Sequence, residues 1–349
     1  MQAKLLDVDG WEKVVHFTEE ASGLNAIISV HDSTLGPGCG GCRIFPYASF
    51  EDGLRDVKNL SRGMTYKNAL GGIPFGGGKA VIFADPKTDK TPALLAAFAR
   101  AVESFDGLYY TAADSGVTEA DIRAFLDVTS YAAGAGKDGI GGNPGPFTAR
   151  GVWRGMQAAA RHHYGAASLE GLRVAILGVG SVGMALAKLI HDEGGILTVA
   201  DVNDAALQKA KNDFGATIVA PDEVAGEDVD IFSPCALGGA INPTTIERLQ
   251  AKIVAGAANN QLATPQMGEE LSKKGVLYAP DYVINAAGVI SIGLEILGTW
   301  APDEVNSRID KIGDTLAALF KRTESEGGLT NVIADTMALE RIAGGRKTA

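Results

Sequence analysis

The stretch Arg173-Val174-Ala175-Ile176-Leu177-Gly178-Val179-Gly180-Ser181-Val182-Gly183 decides the fold of one half of this chain. Its aliphatic run predicts a buried strand, its glycines predict a tight turn, and the residues from Val182 to His191 predict a helix. In such a unit the backbone can approach a pyrophosphate closely, at the positive end of the helix dipole. The segment therefore predicts a dinucleotide-binding turn made of Gly178, Val179, Gly180, Ser181, Val182 and Gly183.

An acidic residue stands where this type of fold needs one. The next predicted strand, Ile196 to Ala200, is followed by Asp201. A carboxylate at this place accepts hydrogen bonds from the adenosine ribose hydroxyls and repels a 2′-phosphate. The following Val202-Asn203-Asp204 offers no arginine for such a phosphate. The sequence therefore favours NAD over NADP.

Strand and helix patterns alternate along both halves of the 349 residues. This alternation predicts an α/β protein of two domains, an N-terminal α/β catalytic domain and a Rossmann-type NAD-binding domain, with a cleft between them. We expect the substrate-binding domain over 1–135 and the NAD-binding domain over 136–325. A C-terminal helix over about 326–349 is expected to return to the first domain, and its tail from Gly344 on is expected to fray. The glycine-rich segment 134–145 is expected to be the hinge.

The composition excludes several classes of function. A net charge of −11 with no basic cluster argues against nucleic acid and anionic membranes as partners. No uninterrupted apolar segment reaches the about 18 residues that a membrane span needs. The start of the chain lacks a signal-peptide core and the three cysteines are few, which favours the cytoplasm.

Two lysines lie among glycines and small residues, in Gly63-Met64-Thr65-Tyr66-Lys67-Asn68-Ala69 and in Gly76-Gly77-Gly78-Lys79. A solvated lysine needs no such setting, whereas a lysine that acts as a base near neutral pH must be shielded from water. Together with the dinucleotide turn, the two lysines indicate a dehydrogenase that acts on a substrate with a carboxylate. If that substrate is an amino acid, the enzyme needs a cation for the α-carboxylate and a base for the amine and water. Lys67, Lys79 and Asp114, which follows a predicted strand over 109–112, could supply this set.

Cys39-Gly40-Gly41-Cys42 has the form of half a metal or redox site. No second cysteine pair or histidine pair completes it, so we predict no metal and small buried residues instead. The dispersed histidines are not predicted to be catalytic.

At this point the chain closely resembles the leucine/phenylalanine/valine branch of the Glu/Leu/Phe/Val amino-acid dehydrogenases. The resemblance runs from about Ala26 to Ile342. The motifs that carry it are His31 to Pro37, Gly40 to Arg43, Gly63 to Ala69, Gly76 to Lys79, Asp114, Pro234 to Gly238, Ala257 to Leu262 and Pro280 to Asn285.

The resemblance implies a role for each matching residue. Lys67 would pair with the substrate carboxylate, helped by Asn260 and the backbone at Gly40-Gly41. Lys79 would be the general base that activates water, and Asp114 would exchange protons with the amino group. The further residues that it places along the cofactor are Arg43, Thr148, Val202, Cys235, Ala236, Ala257, Ala258, Asn259 and Asn285. The implied reaction converts an L-amino acid, NAD⁺ and water to a 2-oxo acid, ammonium and NADH, in a homo-oligomer.

The resemblance also implies an apolar side-chain pocket, formed by Cys39, Met64, Ala112, Val289 and Ile292. An unpaired buried carboxylate would be costly there, so glutamate is disfavoured as a substrate. Ala112 leaves less room than the glycine of phenylalanine-preferring members, which favours leucine, valine or isoleucine. Cys39, in place of a usual leucine, would enlarge the pocket.

Two other interpretations stay open. The first is an aromatic-preferring enzyme that acts on phenylalanine or tryptophan, because one methylene changes discrimination by only about 1–3 kcal/mol. The second is a catalytically silent NAD-binding sensor, whose signature would be the loss of Lys67, Lys79 or Asp114.

Overall fold

A computed structural model describes residues 1–136, 141, 143–166 and 168–345 of the chain. These residues form two compact units, as expected for a two-domain α/β protein. The first unit comprises Met1–Asn143, Val289–Pro302 and the residues from Ala338 on, and the second comprises Pro144–Gly288 and Asp303–Met337. No helix in the described part of the chain is both long and apolar enough to cross a membrane.

A mixed sheet of seven strands forms the centre of the first unit, in the order β1-β2-β3-β6-β4-β7, with β5 also paired to β6. The pairs β1-β2, β2-β3 and β3-β6 are antiparallel, and β4 and β5 run parallel to β6. The strands are β1 (Gln2–Leu6), β2 (Lys13–Glu19), β3 (Leu24–Asp32), β4 (Gly38–Cys39), β5 (Cys42–Phe45), β6 (Gly76–Phe83) and β7 (Tyr109–Tyr110).

Three helices of the first unit begin at sequence signals that cap a helix. Ser49 accepts a hydrogen bond from the Asp52 amide at the start of α1 (Phe50–Gly71). Thr91 caps α2 (Pro92–Glu103), and Thr118 with Asp121 forms the capping box of α3 (Glu119–Leu126). The core between sheet and helices is built of fully buried aromatic and aliphatic side chains, among them Phe17, Phe98, Tyr109, Phe125 and Ile82.

A parallel sheet of six strands forms the centre of the second unit, in the order β10-β9-β8-β11-β12-β13. Counted from its first strand, this is the order 3-2-1-4-5-6 of a Rossmann fold. The strands are β8 (Arg173–Leu177), β9 (Ile196–Ala200), β10 (Thr217–Ile218), β11 (Ile231–Pro234), β12 (Ile253–Val254) and β13 (Leu277–Tyr278). The order confirms the predicted Rossmann-type domain.

The remaining helices connect or follow these strands. They are α4 (Gly145–Tyr164), α5 (Ser181–Asp192), α6 (Asp204–Phe214), α7 (Pro243–Arg248), α8 (Gln266–Lys273), α9 (Asp281–Ile284), α10 (Ala287–Ile296), α11 (Pro302–Glu326) and α12 (Thr330–Gly345).

The compact units differ from the expected division at 135. Segment 289–302 belongs to the first unit because Glu295 Oε1 accepts a hydrogen bond from the Gly134 amide at 2.9 Å and Gly293 packs on Ile73. Gly344 and Gly345, expected in a frayed tail, continue α12. Residues 346–349, and residues 137–140 and 142 of the expected hinge, lie outside the described residues.

One strand expectation needs correction, and two strands were missed. The strand expected over 109–112 is limited to β7, because Thr111 and Ala113 make isolated bridges to Ala132 and Cys42. The strands β1 and β2 were not predicted, and β1 is exposed along nearly its whole length.

Candidate active site

Lys79 and Asp114 form the central ion pair of the first unit. Lys79 lies in the middle of β6, opposite Ser29 of β3, and its side chain is only 8% exposed. Asp114 follows the bridge that joins Ala113 to Cys42. Lys79 Nζ lies 2.5 Å from Asp114 Oδ2. Sequence analysis named both residues, and the structure brings them into direct contact.

Arg43 contributes a second cation to the same carboxylate. Its Nε lies 3.5 Å from Asp114 Oδ2. Burial by itself would raise the pKa of Asp114, but the Lys79 ammonium and the Arg43 guanidinium outweigh burial and hold this pKa below its usual range. Asp114 is therefore a carboxylate at neutral pH, placed where it can exchange a proton with a group that approaches Lys79.

The glycines before Lys79 let other elements lie directly on β6. A methyl group on Gly77 would overlap the Thr65 hydroxyl of α1, and one on Gly78 would lie 2.6 Å from the Tyr109 ring. The absence of side chains here brings α1, which carries Lys67, close against the strand that carries Lys79. A substitution at Gly77 would force the two elements apart.

The Gly40-Gly41 backbone is packed just as closely. A methyl group on Gly40 would overlap the Gly78 carbonyl and lie 2.9 Å from Met64 Cγ, and one on Gly41 would lie 2.6 Å from the Ala113 carbonyl. The Tyr109 hydroxyl donates a hydrogen bond of 2.7 Å to the Gly40 carbonyl. Gly40 therefore packs directly on Met64, while Gly41 packs on Ala113. The assignment of these residues to the substrate site by resemblance stays a prediction.

Lys67 is half-buried on α1. The next residue, Asn68, is fully buried and donates from its side-chain amide to the carbonyls of Cys39 at 3.1 Å and Gly76 at 2.6 Å. Asn68 thereby fixes the turn of α1 that carries Lys67 against the ends of β4 and β6. The contact of Lys67 with a substrate carboxylate stays a prediction.

The residues of the expected side-chain pocket all lie in the first unit. Cys39 and Ala112 are buried, whereas Met64, Val289 and Ile292 are half-buried. Burial raises the pKa of the Cys39 thiol to about 12, despite the opposing charge of Lys79, so the thiol stays neutral. Cys39 and Cys42 are free thiols, and the described residues contain no cluster of side chains suited to a metal ion. The assembly of the five residues into one pocket stays a prediction.

The glycine turn of the second unit has the geometry that a dinucleotide requires. Gly178 has φ +100°, a conformation that favours glycine, and a methyl group on Gly183 would overlap the Gly178 carbonyl. Gly180 has open space where its side chain would be. Asp201 Oδ2 accepts a hydrogen bond of 2.7 Å from the Val179 amide, so the acid at the end of β9 contacts the turn.

The neighbouring loops also fit a bound dinucleotide. Gly178 and Ala236 are in close contact, since a methyl group on Gly178 would lie 2.8 Å from the Ala236 nitrogen. Buried Asn285 donates to the Ala257 carbonyl at 3.0 Å and to Asn259 Oδ1 at 2.8 Å, while its own Oδ1 has no hydrogen-bond partner. An unsatisfied buried acceptor calls for a donor, and the carboxamide of a nicotinamide is one.

The other expected binding residues also lie in the second unit. Cys235 and Ala236 follow β11, and the buried Ala258 donates from its amide to the Pro234 carbonyl at 2.9 Å. Val202 is 93% exposed, and Thr148 is half-buried on α4. Asn260 has a left-handed backbone with φ 52°, which asparagine tolerates better than most residues. Their contacts with cofactor or substrate stay predictions.

Sequence reasoning missed the partners of Arg43 and the role of Asn68. Asp56 Oδ2 accepts from Arg43 Nη1 at 2.9 Å and from the Tyr47 hydroxyl at 2.5 Å. These contacts join β5 to the first turns of α1, and no local sequence motif predicts them. Asn68, by contrast, lies within the Gly63 to Ala69 motif. Its position next to Lys67 could have indicated that it holds this part of α1 in place.

The second unit has a parallel sheet with a glycine turn, and the first unit buries a lysine against a carboxylate. This combination is typical of a nucleotide-dependent dehydrogenase. Two family models match: "Glu/Leu/Phe/Val dehydrogenase, dimerisation domain" over residues 12–131 and "Glutamate/Leucine/Phenylalanine/Valine dehydrogenase" over residues 203–348. The chain belongs to the Glu/Leu/Phe/Val dehydrogenase family. It is an amino-acid dehydrogenase, an oxidoreductase with NAD as its cofactor.

Individual relatives support the same assignment. The chain is 45% identical over 345 residues to leucine dehydrogenase of Geobacillus stearothermophilus, covering 99% of this chain and 94% of the relative. It is 43% identical over 337 residues to phenylalanine dehydrogenase of Bacillus thermotolerans, covering 95% and 88%. The crystal structure of L-tryptophan dehydrogenase from Nostoc punctiforme matches with a TM-score of 0.87 at 42% identity, covering 97% of both chains.

Proposed function

We propose that this enzyme catalyses the reversible, NAD-dependent oxidative deamination of an apolar L-amino acid, with branched-chain substrates such as leucine preferred. The observation that carries the proposal is the Lys79–Asp114 contact of 2.5 Å, made by a lysine that is only 8% exposed. A buried base beside a carboxylate is what amine deprotonation and water activation need.

Each residue has a proposed part in the reaction. Lys67 binds the substrate carboxylate, together with Asn260 and the Gly40-Gly41 backbone. Asp114 takes a proton from the substrate ammonium, and Lys79 takes a proton from the water that attacks the Cα carbon after oxidation. Asp114 then returns its proton to the nitrogen, the C–N bond breaks, and the departing ammonia takes the proton of the added hydroxyl as ammonium, which leaves the 2-oxo acid. NAD⁺, held by the residues described next, would supply the acceptor for the hydride from Cα.

The second unit holds the cofactor in this proposal. The turn from Gly178 to Gly183 would receive the pyrophosphate, because Gly180 leaves open space there. Asp201 would accept from the ribose hydroxyls, and Asn285 would accept from the nicotinamide carboxamide. These contacts orient the cofactor and discriminate against NADP.

The apolar character of the expected pocket supports the substrate preference. Cys39 and Ala112 are buried and uncharged, and Met64 lies against Gly40. A carboxylate side chain would lose its hydration there without gaining a partner, so glutamate should be a poor substrate. Ala112 restricts the space for a ring, which favours aliphatic over aromatic substrates.

We also propose that the enzyme is a cytoplasmic homo-oligomer. The family model that matches residues 12–131 is described as a dimerisation domain, which supports self-association. Light scattering on the eluting protein would measure the mass, and a monomer would contradict this part of the proposal.

The decisive experiment measures NADH formation at alkaline pH with L-leucine, L-valine, L-phenylalanine, L-tryptophan and L-glutamate. We expect the highest kcat/KM for a branched-chain substrate and the lowest for glutamate. A preference for phenylalanine or tryptophan would establish the aromatic alternative. No turnover with any of them, by protein that binds NAD, would support the silent sensor.

A further inference from the structure

Four charged side chains form a continuous row through the first unit, and we name Lys79, Asp114, Arg43 and Asp56 the charge row. Lys79 Nζ lies 2.5 Å from Asp114 Oδ2, and Arg43 Nε lies 3.5 Å from the same oxygen. Arg43 Nη1 lies 2.9 Å from Asp56 Oδ2. Positive and negative charges alternate, and all four side chains are less than one-third exposed.

Asp56 holds Arg43 more closely than Asp114 does. The contact with Asp56 is a hydrogen bond of 2.9 Å, whereas the 3.5 Å separation from Asp114 is longer than an ordinary hydrogen bond. An arginine left alone beside a carboxylate prefers two parallel hydrogen bonds to it. Asp56 engages Nη1, at one end of the guanidinium, and so competes with Asp114 for Arg43.

Tyr47 keeps Asp56 in place. Its hydroxyl donates to Asp56 Oδ2 at 2.5 Å, the same oxygen that Arg43 contacts. Burial and the neighbouring Asp56 raise the pKa of Tyr47 well above its usual value, so Tyr47 remains a donor through the working pH range. The carboxylate of Asp56 is therefore anchored on α1 and by the segment after β5.

We propose that Asp56 is a positioning residue, which draws Arg43 away from Asp114 and so leaves the Asp114 carboxylate to Lys79. This inference rests on the proposed function, in which Lys79 and Asp114 exchange protons with water and substrate. Asp56 itself touches neither Lys79 nor Asp114 in this role and acts through Arg43.

Replacement of Asp56 by Asn should weaken the contact between Lys79 and Asp114. Without the charge of Asp56, Arg43 would be released to form two hydrogen bonds with Asp114 and would draw Asp114 Oδ2 away from Lys79. Lys79 would then lose its close contact with the carboxylate. The other titratable groups that bear on Asp114 are Cys42 on β5 and Tyr109 on β7, and burial raises both of their pKa values, which keeps them neutral.

The test compares Asp56→Asn with two matched variants. Asp56→Glu keeps the charge, and Asp52→Asn removes a carboxylate from the same helix that pairs with Arg55 rather than Arg43. For Asp56→Asn we expect the acidic limb of the pH profile of kcat/KM to move to lower pH, by about half a pH unit to one pH unit. We expect kcat to fall about tenfold. We expect Asp56→Glu and Asp52→Asn to keep the wild-type limb.

A second readout does not depend on turnover. Competitive labelling of lysines with acetic anhydride at a fixed pH, followed by mass spectrometry, measures how fast Lys79 reacts relative to the other lysines of the folded protein. Faster labelling of Lys79 in Asp56→Asn than in wild type supports the inference even if the substrate is misassigned. Unchanged labelling of Lys79 in a variant with native NAD binding overturns it, and so does an equal increase in Asp52→Asn.

Discussion

The two members of the central ion pair, Lys79 and Asp114, should differ in how much their removal lowers the free energy of unfolding. Asp114→Asn keeps the shape of the side chain but leaves Lys79 and Arg43 facing a neutral amide. Lys79 is 8% exposed, so its ammonium would be a largely buried charge without its partner. Lys79→Met leaves Asp114 with Arg43 at 3.5 Å, and the desolvation of an ammonium is no longer required.

The expected losses in unfolding free energy follow from this difference between the two variants. Breaking a buried pair by removing one partner costs roughly 3–5 kcal/mol, and the 23% exposure of Asp114 reduces the expected value for Asp114→Asn to about 2–4 kcal/mol. Lys79→Met should cost about 1 kcal/mol or less, because an apolar side chain of similar length replaces a charge that was expensive to bury. Both variants should lose nearly all turnover.

Urea unfolding followed by circular dichroism measures these free energies. The pKa of Asp114 is held below its ordinary value of 3.8, so its stabilising contribution is fully present above that value and is lost as pH falls through the lowered pKa. The difference between wild type and Asp114→Asn should therefore be constant between about pH 8 and pH 6. If Lys79→Met destabilises the protein as much as Asp114→Asn, the assignment of Arg43 as a second partner is wrong.

Three further predictions concern the cofactor turn and the pocket. Asp201→Ala removes the acceptor next to Val179 and should raise the kcat/KM ratio of NADP to NAD about tenfold or more; an unchanged ratio would refute the ribose assignment. Gly183→Ala should lower the unfolding free energy by about 1–3 kcal/mol, whereas Gly180→Ala should leave stability nearly unchanged and weaken NAD binding, as calorimetry can measure. Ala112→Gly should shift kcat/KM toward phenylalanine by about 10-fold, and a shift toward valine would contradict its place in the pocket.

The parts of the fold that sequence reasoning predicted are those with short-range signals. The strand before Gly178, the turn and the helix after it are contiguous, and Asp201 follows the next strand. In each case the physical cause lies within a few residues, so the pattern is readable without tertiary information.

The parts that escaped prediction depend on distant contacts. β1 is exposed on both faces, and its five residues include no β-branched or aromatic side chain that would indicate a strand. Segment 289–302 belongs to the first unit through the hydrogen bond between Glu295 and Gly134, which are far apart in the chain. Arg43 was assigned to the cofactor by resemblance, and its pairing with Asp56 follows only from the packing of β5 near α1.

The glycines before Lys79 explain how the site combines burial with charge. Gly76, Gly77 and Gly78 each contact a different part of the first unit: the Asp32 carbonyl, the Thr65 region of α1 and the Tyr109 ring. Lys79 is therefore enclosed largely by backbone and neighbouring elements that pack directly on β6. Backbone groups are fixed dipoles that cannot rearrange as side chains do, so the ammonium keeps one well-defined partner, Asp114. The glycines thus allow close packing of the helix with Lys67 on the strand with Lys79, since any side chain at Gly77 would separate the two elements.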